Sequence, residues 1–169
     1  MKTLYKNEPG QARLERRIRR WLIFFIIALV LSGVTAFALE TEMRWLVTGW
    51  PLGRSGALYG WVFRVYVSLR DINGRYPFLA YGYDWLAFAH LVIAVAFIGP
   101  LRDPVRNKWV IEFGMIACLM VFPLAFIAGA IRGIPVYWRL IDCSFGVIGL
   151  VPLSGCYRAV EALERLRRK

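Results

Sequence analysis

The chain has 169 residues, of which 59% are hydrophobic and 20% charged, and its formal net charge at pH 7 is +11. A soluble domain of this length has no interior large enough to bury such an apolar surplus. Because the apolar residues also lie in long blocks, the composition excludes a soluble globule and predicts an all-α, multi-pass membrane protein.

Lysine and arginine are concentrated in segments that four spans would place on one side of a membrane. These segments are the N-terminal arm (1–20), the connection 102–108 and the tail helix (154–169). Loops rich in lysine and arginine stay in the cytoplasm, so we predict cytoplasmic termini and a bacterial-type inner membrane. Contact of the arm and the tail with anionic lipid headgroups accounts for the charge without nucleic acid. A protein partner for these ends is the alternative.

Four apolar blocks are each expected to form a transmembrane helix, since a hydrocarbon core about 30 Å thick takes about 20 residues. The predicted spans are 21–39, 84–101, 108–131 and 134–153. Pro123 and Pro152 are expected to interrupt the third and fourth helices, because proline has no amide hydrogen to donate. The predicted fold class is therefore a four-transmembrane-helix bundle.

The first span has an alternative interpretation as a secretory signal peptide. Ala36 and Ala38 form an Ala-x-Ala pattern behind a basic start and an apolar stretch. The basic region and the apolar run are both long for a signal peptide, so a retained span is the primary prediction.

The outer segment, residues 40–83, contains one amphipathic stretch at about 55–71. Apolar residues recur there at helical spacing, with Ser55 as the expected N-cap and Asn73-Gly74 as the expected stop. We predict an interfacial amphipathic helix that lies in the membrane plane. The alternative is a strand, whose unpaired edge is hard to satisfy at a bilayer.

Tryptophans are expected at the headgroup level, because the indole ring is apolar with one polar edge. The predicted interface anchors are Trp45, Trp50, Trp61, Trp85 and Trp138. They would mark the outer surface of the membrane in the predicted topology.

Polar side chains of three spans are predicted to reach one depth, the outer third of the bundle. His90, the only histidine, lies roughly 9 Å inside the outer end of its span, and Asp142 about 10 Å inside the end of the fourth. Ser32 and Thr35 reach a similar depth on the first span. Arg139 is one turn above Asp142, a spacing at which the two side chains can pair. We expect His90 to lie among polar groups of neighbouring helices, with Asp142 as the leading partner.

Two interpretations of these residues stay open. In the first, Arg139 and Asp142 form a structural ion pair and His90 makes a hydrogen bond between helices. In the second, they form a ligand-binding or proton-handling site, because ionisable residues are costly inside a membrane and imidazole titrates near neutral pH. Closer to the other surface, Lys108 and Glu112 are expected to pair at i, i+4.

Small residues beside these polar groups are expected to let neighbouring helices approach closely. The predicted helix-packing residues are Ala87, Ala94, Gly146 and Gly149. One histidine and scattered carboxylates lack the spacing of metal ligands, and a single histidine does not supply both axial ligands of a haem. No metal, no particular cofactor and no catalytic residue is therefore predicted.

The leading functional hypothesis is a non-enzymatic inner-membrane accessory or assembly subunit. Its outer segment and small-residue helix faces would bind a membrane-protein partner or a second copy of the chain. The alternative is a redox or quinone-like ligand-binding subunit, with a polar site formed by His90, Arg139 and Asp142.

Overall fold

A computed structural model describes residues 9–49 and 55–168, and within these ranges every regular element is a helix. The described residues form eight α-helices, with a 3-10 turn at Pro77–Ala80 and a π-helical turn at Leu124–Ala128. They are α1 (Pro9–Phe37), α2 (Leu39–Thr48), α3 (Ala57–Arg75), α4 (Tyr81–Ala96), α5 (Ile98–Arg102), α6 (Lys108–Pro123), α7 (Gly129–Ile131) and α8 (Val136–Arg167). The predicted anchor Trp50, the first eight residues of the basic arm and the last residue of the tail lie outside the described residues.

Four helical stretches in the described part of the chain are long and apolar enough to cross a membrane. They are Gly10–Phe37, Pro77–Arg102, Lys108–Ile131 and Val136–Arg167. The number of candidate spans agrees with the prediction, and each stretch overlaps one predicted span. The chain is therefore all-helical in its described part, with the composition of a multi-pass membrane protein.

Helix α1 continues without a break from the basic arm into the first apolar block. Its first described residue is Pro9, well before the first apolar residue of the span. Hydropathy predicted where the apolar block begins, whereas the helix also includes the basic residues that precede it.

The two prolines behave differently. Helix α6 ends at Pro123, and a π-helical turn follows it directly, so the predicted interruption of the third helix is confirmed. The predicted interruption at Pro152 is wrong, because α8 runs through this residue to Arg167 as a single helix. The side chain of Pro152 is buried, and membrane helices accommodate proline where packing against neighbours holds the helix together.

The chain divides after Ile27 and after Ala94 into two compact units. The terminal unit contains the N-terminal part of α1 and everything that follows Ala94, and the central unit is Ala28–Ala94.

The core of the terminal unit is built around Phe97, which is fully buried. Its ring lies 4.7 Å, between centroids, from the ring of Phe25 on α1. Gly114 on α6 faces the same ring, and a Cβ at this position would lie 2.6 Å from Phe97 Cζ and 3.0 Å from Leu153 Cδ1 on α8. Glycine therefore permits the close packing of α6 against Phe97 and α8.

In the central unit, α2 and α3 pack against each other. The side-chain nitrogen Nδ2 of Asn73 on α3 donates a hydrogen bond to Glu40 Oε2 on α2 at 2.6 Å. The side-chain oxygen Oδ1 of Asn73 accepts one from the Tyr83 hydroxyl on α4 at 2.8 Å. One side chain thus connects three helices. A side-chain hydrogen bond that includes a carboxylate is among the stronger polar contacts in proteins.

The bounds of α3 differ from the sequence prediction at both ends. The N-cap is Gly56 with φ 112°, and no side chain caps the helix, so the prediction of a Ser55 cap is wrong. The predicted stop at Asn73-Gly74 is also wrong, because the helix continues to Arg75. Asn73 uses its side chain to join helices rather than to end one.

Candidate functional site

His90 lies on α4 in the central unit, and its ring bonds to its own helix. The distance from Nδ1 to the carbonyl oxygen of Leu86 is 2.7 Å. A carbonyl oxygen only accepts hydrogen bonds, so Nδ1 carries the proton, and in the neutral ring Nε2 is the acceptor. This contact satisfies one polar edge of a half-buried imidazole without a partner from another helix.

The hydroxyl of Thr35 also bonds to its own helix, at the backbone of Ser32. Thr35 Oγ1 donates a hydrogen bond to the carbonyl oxygen of Ser32 at 3.2 Å, and both residues are exposed. Serine and threonine commonly bond back to the preceding turn of a helix in this way.

Arg139 packs its aliphatic stem on the short helix α7. A Cβ placed at Gly129 would lie 2.7 Å from Arg139 Cδ and 2.9 Å from Cγ, so a larger residue there would require the arginine side chain to move. The Nε atom of Arg139 is buried, and among the described residues it has no hydrogen-bond partner.

Arg139 and Asp142 form no ion pair within 4.0 Å in the part of the chain that the structure describes, so the predicted pairing is wrong. The i, i+3 spacing permits such a pair but does not determine the direction of either side chain. Here the aliphatic part of the Arg139 side chain packs against Gly129. Asp142 is half-buried on the same helix.

The predicted site residues fall in both units. Ser32, Thr35 and His90 belong to the central unit, and Arg139 and Asp142 belong to the terminal unit. A contact between His90 and Asp142 therefore stays a prediction.

The predicted small residues lie at close helix contacts. Ala87 and Ala94 are 0% and 2% exposed. A Cβ at Gly33 of α1 would lie 2.9 Å from the carbonyl oxygen of Ala87 and 3.2 Å from His90 Cβ. The backbones of α1 and α4 thus approach closely beside His90, as small residues allow.

In the terminal unit, α6 and α8 meet at Cys118. A Cβ at Gly146 would lie 2.7 Å from the Cys118 carbonyl oxygen, and one at Gly149 would lie 2.8 Å from its Sγ atom. Both glycines therefore stand where a larger residue would push two candidate spans apart.

The four described anchor tryptophans differ in exposure. Trp45 and Trp85 are exposed, whereas Trp61 and Trp138 are half-buried. Trp85 makes edge-to-face contacts with Tyr81 and Phe88, with ring centroids 5.8 Å apart in each case. A layer of exposed aromatic rings at one end of a span is typical of a membrane interface.

Helix α3 carries an exposed apolar stripe that sequence reasoning did not single out. Phe63 and Val67 are each 45% exposed, although the opposite face of the helix is packed, with Val62 only 2% exposed. Cβ atoms at Gly60 and Gly74 would meet nothing within 4 Å. Residues 60, 63, 67 and 74 lie on one face of the helix, which exposed Arg70 and Asp71 share near its C-terminal end; we call this face the open face of α3.

The basic segments meet at one end of the terminal unit. Arg167 near the end of α8 pairs with Glu15 of α1 at 3.2 Å and approaches Asp103 at 4.0 Å. Lys108 pairs with Glu161 at 3.3 Å and lies 4.4 Å from the centre of the Tyr157 ring. We call this gathering of charges the basic end.

The predicted pair of Lys108 with Glu112 is wrong, because Lys108 turns to α8 instead. Glu161 and Glu164 both lie within 4.0 Å of its ammonium group, whereas Glu112 is exposed. A tyrosine face and two carboxylates attract an ammonium group more strongly than one exposed carboxylate.

Among the described residues, no group of three histidine, cysteine or acidic side chains is placed to hold a metal ion. Comparison of the chain with models of protein families, with curated protein sequences and with solved structures finds no match.

Proposed function

We propose that the chain is a non-catalytic accessory subunit of a bacterial-type inner membrane, which binds another membrane protein through the open face of α3. The observation that carries the proposal is that this apolar stripe is exposed on a helix whose other face is fixed in place. Asn73 holds α3 to Glu40 and Tyr83. Because the helix cannot rotate without breaking these bonds, Phe63 and Val67 remain available to a partner.

The chemistry of the open face suits a helix of another membrane protein. Gly60 and Gly74 have free space around their Cβ positions, so a neighbouring backbone could approach closely. Charged residues border Phe63 and Val67 on this face, and Asp71, one turn after Val67, pairs with Arg75 at 2.9 Å. An apolar centre beside a polar rim is the usual anatomy of a protein interface.

The proposed orientation places the basic end in the cytoplasm and α2 and α3 at the outer surface. Contacts of Arg167 with Glu15 and Asp103 support it, because they bring three basic segments together in the terminal unit. Lysine and arginine near span ends favour the cytoplasmic side. A green fluorescent protein fused to the C-terminus should then fluoresce, and an alkaline phosphatase fused there should be inactive.

The binding proposal is tested with a photoreactive phenylalanine analogue placed at Phe63 or Val67 in cells. A matched control carries the analogue at Ser68, which is exposed on the charged side of the same helix. We expect cross-links from positions 63 and 67 to one membrane protein and none from position 68. Adducts with lipid alone, or equal cross-linking from all three positions, would count against the proposal. A cross-link to a second copy of the chain would show that the open face forms a homo-oligomer and does not bind a different protein.

A second candidate function is the binding of a quinone-like ligand at Arg139. The specific observation is the buried Nε atom, which has no hydrogen-bond partner among the described residues. An unsatisfied buried polar atom costs about 1–3 kcal/mol, and a ligand carbonyl oxygen would supply the missing acceptor. Arg139→Lys should then lose a co-purifying ligand while the amount of folded protein is unchanged, and an equal ligand content in both proteins would exclude this candidate.

A further inference from the structure

We propose that a groove on helix α1 binds the headgroup of an anionic diacyl phospholipid. Arg17, Arg20, Trp21 and Phe24 line this groove, which has a volume of about 340 Å³. We call it the arginine groove. The proposal rests on the membrane location given in the proposed function, but it is independent of the partner bound by α3.

Packing of α1 holds the two arginines outward. On the opposite side of the helix, Ile18 is 1% exposed and Leu22 is 0% exposed. Residues 17, 20, 21 and 24 follow the i, i+3, i+4, i+7 pattern of one helix face. A rotation of α1 that hid Arg17 and Arg20 would expose these two buried side chains, so the groove is a fixed feature of the unit.

The arginines of this groove have no counter-charge within the described chain. Neither Arg17 nor Arg20 takes part in an ion pair or side-chain hydrogen bond there. Glu15 is the one acidic residue among the five arginines of residues 13–20, and it pairs with Arg167. Two guanidinium groups without a protein partner are complementary to a phosphodiester, which accepts paired hydrogen bonds from arginine.

A neighbouring groove strengthens the positive field. Its lining residues are Arg13, Arg16, Arg19, Arg20 and Ile23. Arg20 belongs to both grooves. An anion near Arg20 is thus attracted from two sides, and the attraction falls off within a Debye length of about 10 Å at 0.1 M salt.

The apolar part of the groove indicates a lipid rather than a free phosphate. Phe24 is 49% exposed one turn beyond Arg20, and Ile27 is 53% exposed in the following turn. Trp21 stands at the point where the charged stretch of α1 passes into the apolar one, the position that indole prefers at a bilayer surface. A headgroup on Arg17 and Arg20 would therefore place its acyl chains along Phe24 and Ile27.

The basic tail provides a matched control. A groove on α8 is lined by Arg158, Glu161, Ala162, Arg165 and Leu166. It also contains two arginines, but Glu161 lies between them and pairs with Lys108. Replacing Arg158 and Arg165 changes the net charge of the chain as much as replacing Arg17 and Arg20, while the arginine groove is left intact.

The experiment is a lipid titration of the purified protein in detergent, monitored by native mass spectrometry. The lipids are dioleoylphosphatidylglycerol and dioleoylphosphatidylcholine, and soluble glycerol phosphate is the competitor. The proteins are the unchanged chain, the double variant Arg17→Gln/Arg20→Gln and the control Arg158→Gln/Arg165→Gln. Circular dichroism and size-exclusion chromatography establish that all three are folded.

We expect the unchanged chain to prefer phosphatidylglycerol and the Arg17/Arg20 variant to bind it about 30-fold more weakly, which corresponds to the loss of two headgroup hydrogen-bonding contacts of about 1 kcal/mol each. The control should lose less than about threefold. Equal losses of affinity in the two variants, or no preference for the anionic lipid, would overturn the proposal. Full competition by glycerol phosphate would also overturn it, because the groove would then bind a free phosphate and not a lipid. If α3 fails to cross-link a partner while this preference holds, only the partner proposal is lost.

Discussion

Replacement of Gly146 by alanine should destabilise the contact between α6 and α8. The new Cβ would lie 2.7 Å from the carbonyl oxygen of Cys118, whereas ordinary contacts begin at 3.4 Å, so the helices must separate locally by roughly 0.7 Å. A backbone oxygen cannot turn aside as the end of a side chain can. Overpacking of this kind costs about 1–3 kcal/mol.

A matched control lies in the same helix. A Cβ at Gly155 would meet Trp21 Nε1 at 3.5 Å, which is an ordinary contact. Both substitutions gain the same helix propensity, about 1 kcal/mol for glycine to alanine. The difference between Gly146→Ala and Gly155→Ala therefore isolates the packing cost.

The assay is thermal unfolding in detergent, followed with a fluorogenic maleimide. Cys118, Cys143 and Cys156 are free and buried, so they react only when the terminal unit opens. At about 2–4 °C per kcal/mol for a chain of this size, a packing cost of about 2 kcal/mol places the midpoint of Gly146→Ala about 4–8 °C below that of Gly155→Ala. Equal midpoints for the two variants would refute the packing of α6 on α8 described here.

Three further outcomes follow from single contacts. Asn73→Ala removes both hydrogen bonds that hold α3, so the free energy of local opening of α3 should fall by about 1–3 kcal/mol. Amide hydrogen exchange in α3 should therefore become faster, whereas Ser68→Ala should leave it unchanged. Glu161→Gln should lower stability by about 0.2–1 kcal/mol in the thermal assay, and Glu112→Gln should not; the reverse order would contradict the Lys108 contacts. His90→Ala should leave the amount of folded protein in the membrane unchanged, because the ring bonds to its own helix, and a large loss on immunoblots would show a structural partner.

The candidate spans were predictable from the sequence, but the bounds of the helices were not. A run of apolar residues predicts a crossing because the bilayer has a fixed thickness. It contains no information about the polar turns beyond it. Helix α1 includes the basic residues from Pro9 onward, and α8 continues through Pro152 to Arg167. The charged ends of the two helices are paired through Glu15 and Arg167.

Polar contacts were less predictable than spans, since helical spacing identifies neighbours only within one helix. Lys108 has Glu112 at i+4, yet its ammonium group pairs with Glu161, which is 53 positions away. Asn73 is followed by glycine, a pair typical of a helix end, but its side chain connects three helices. Such partners depend on how helices pack, and no local pattern encodes that.

Native mass spectrometry of the protein extracted gently from its own membrane is the most direct test of the proposed accessory role. We predict a complex that contains a second, different polypeptide, and this complex should dissociate when Phe63 and Val67 on the open face of α3 are replaced by serine. Recovery of the chain alone with a stoichiometric non-lipid small molecule would contradict the accessory role and favour a ligand-binding subunit.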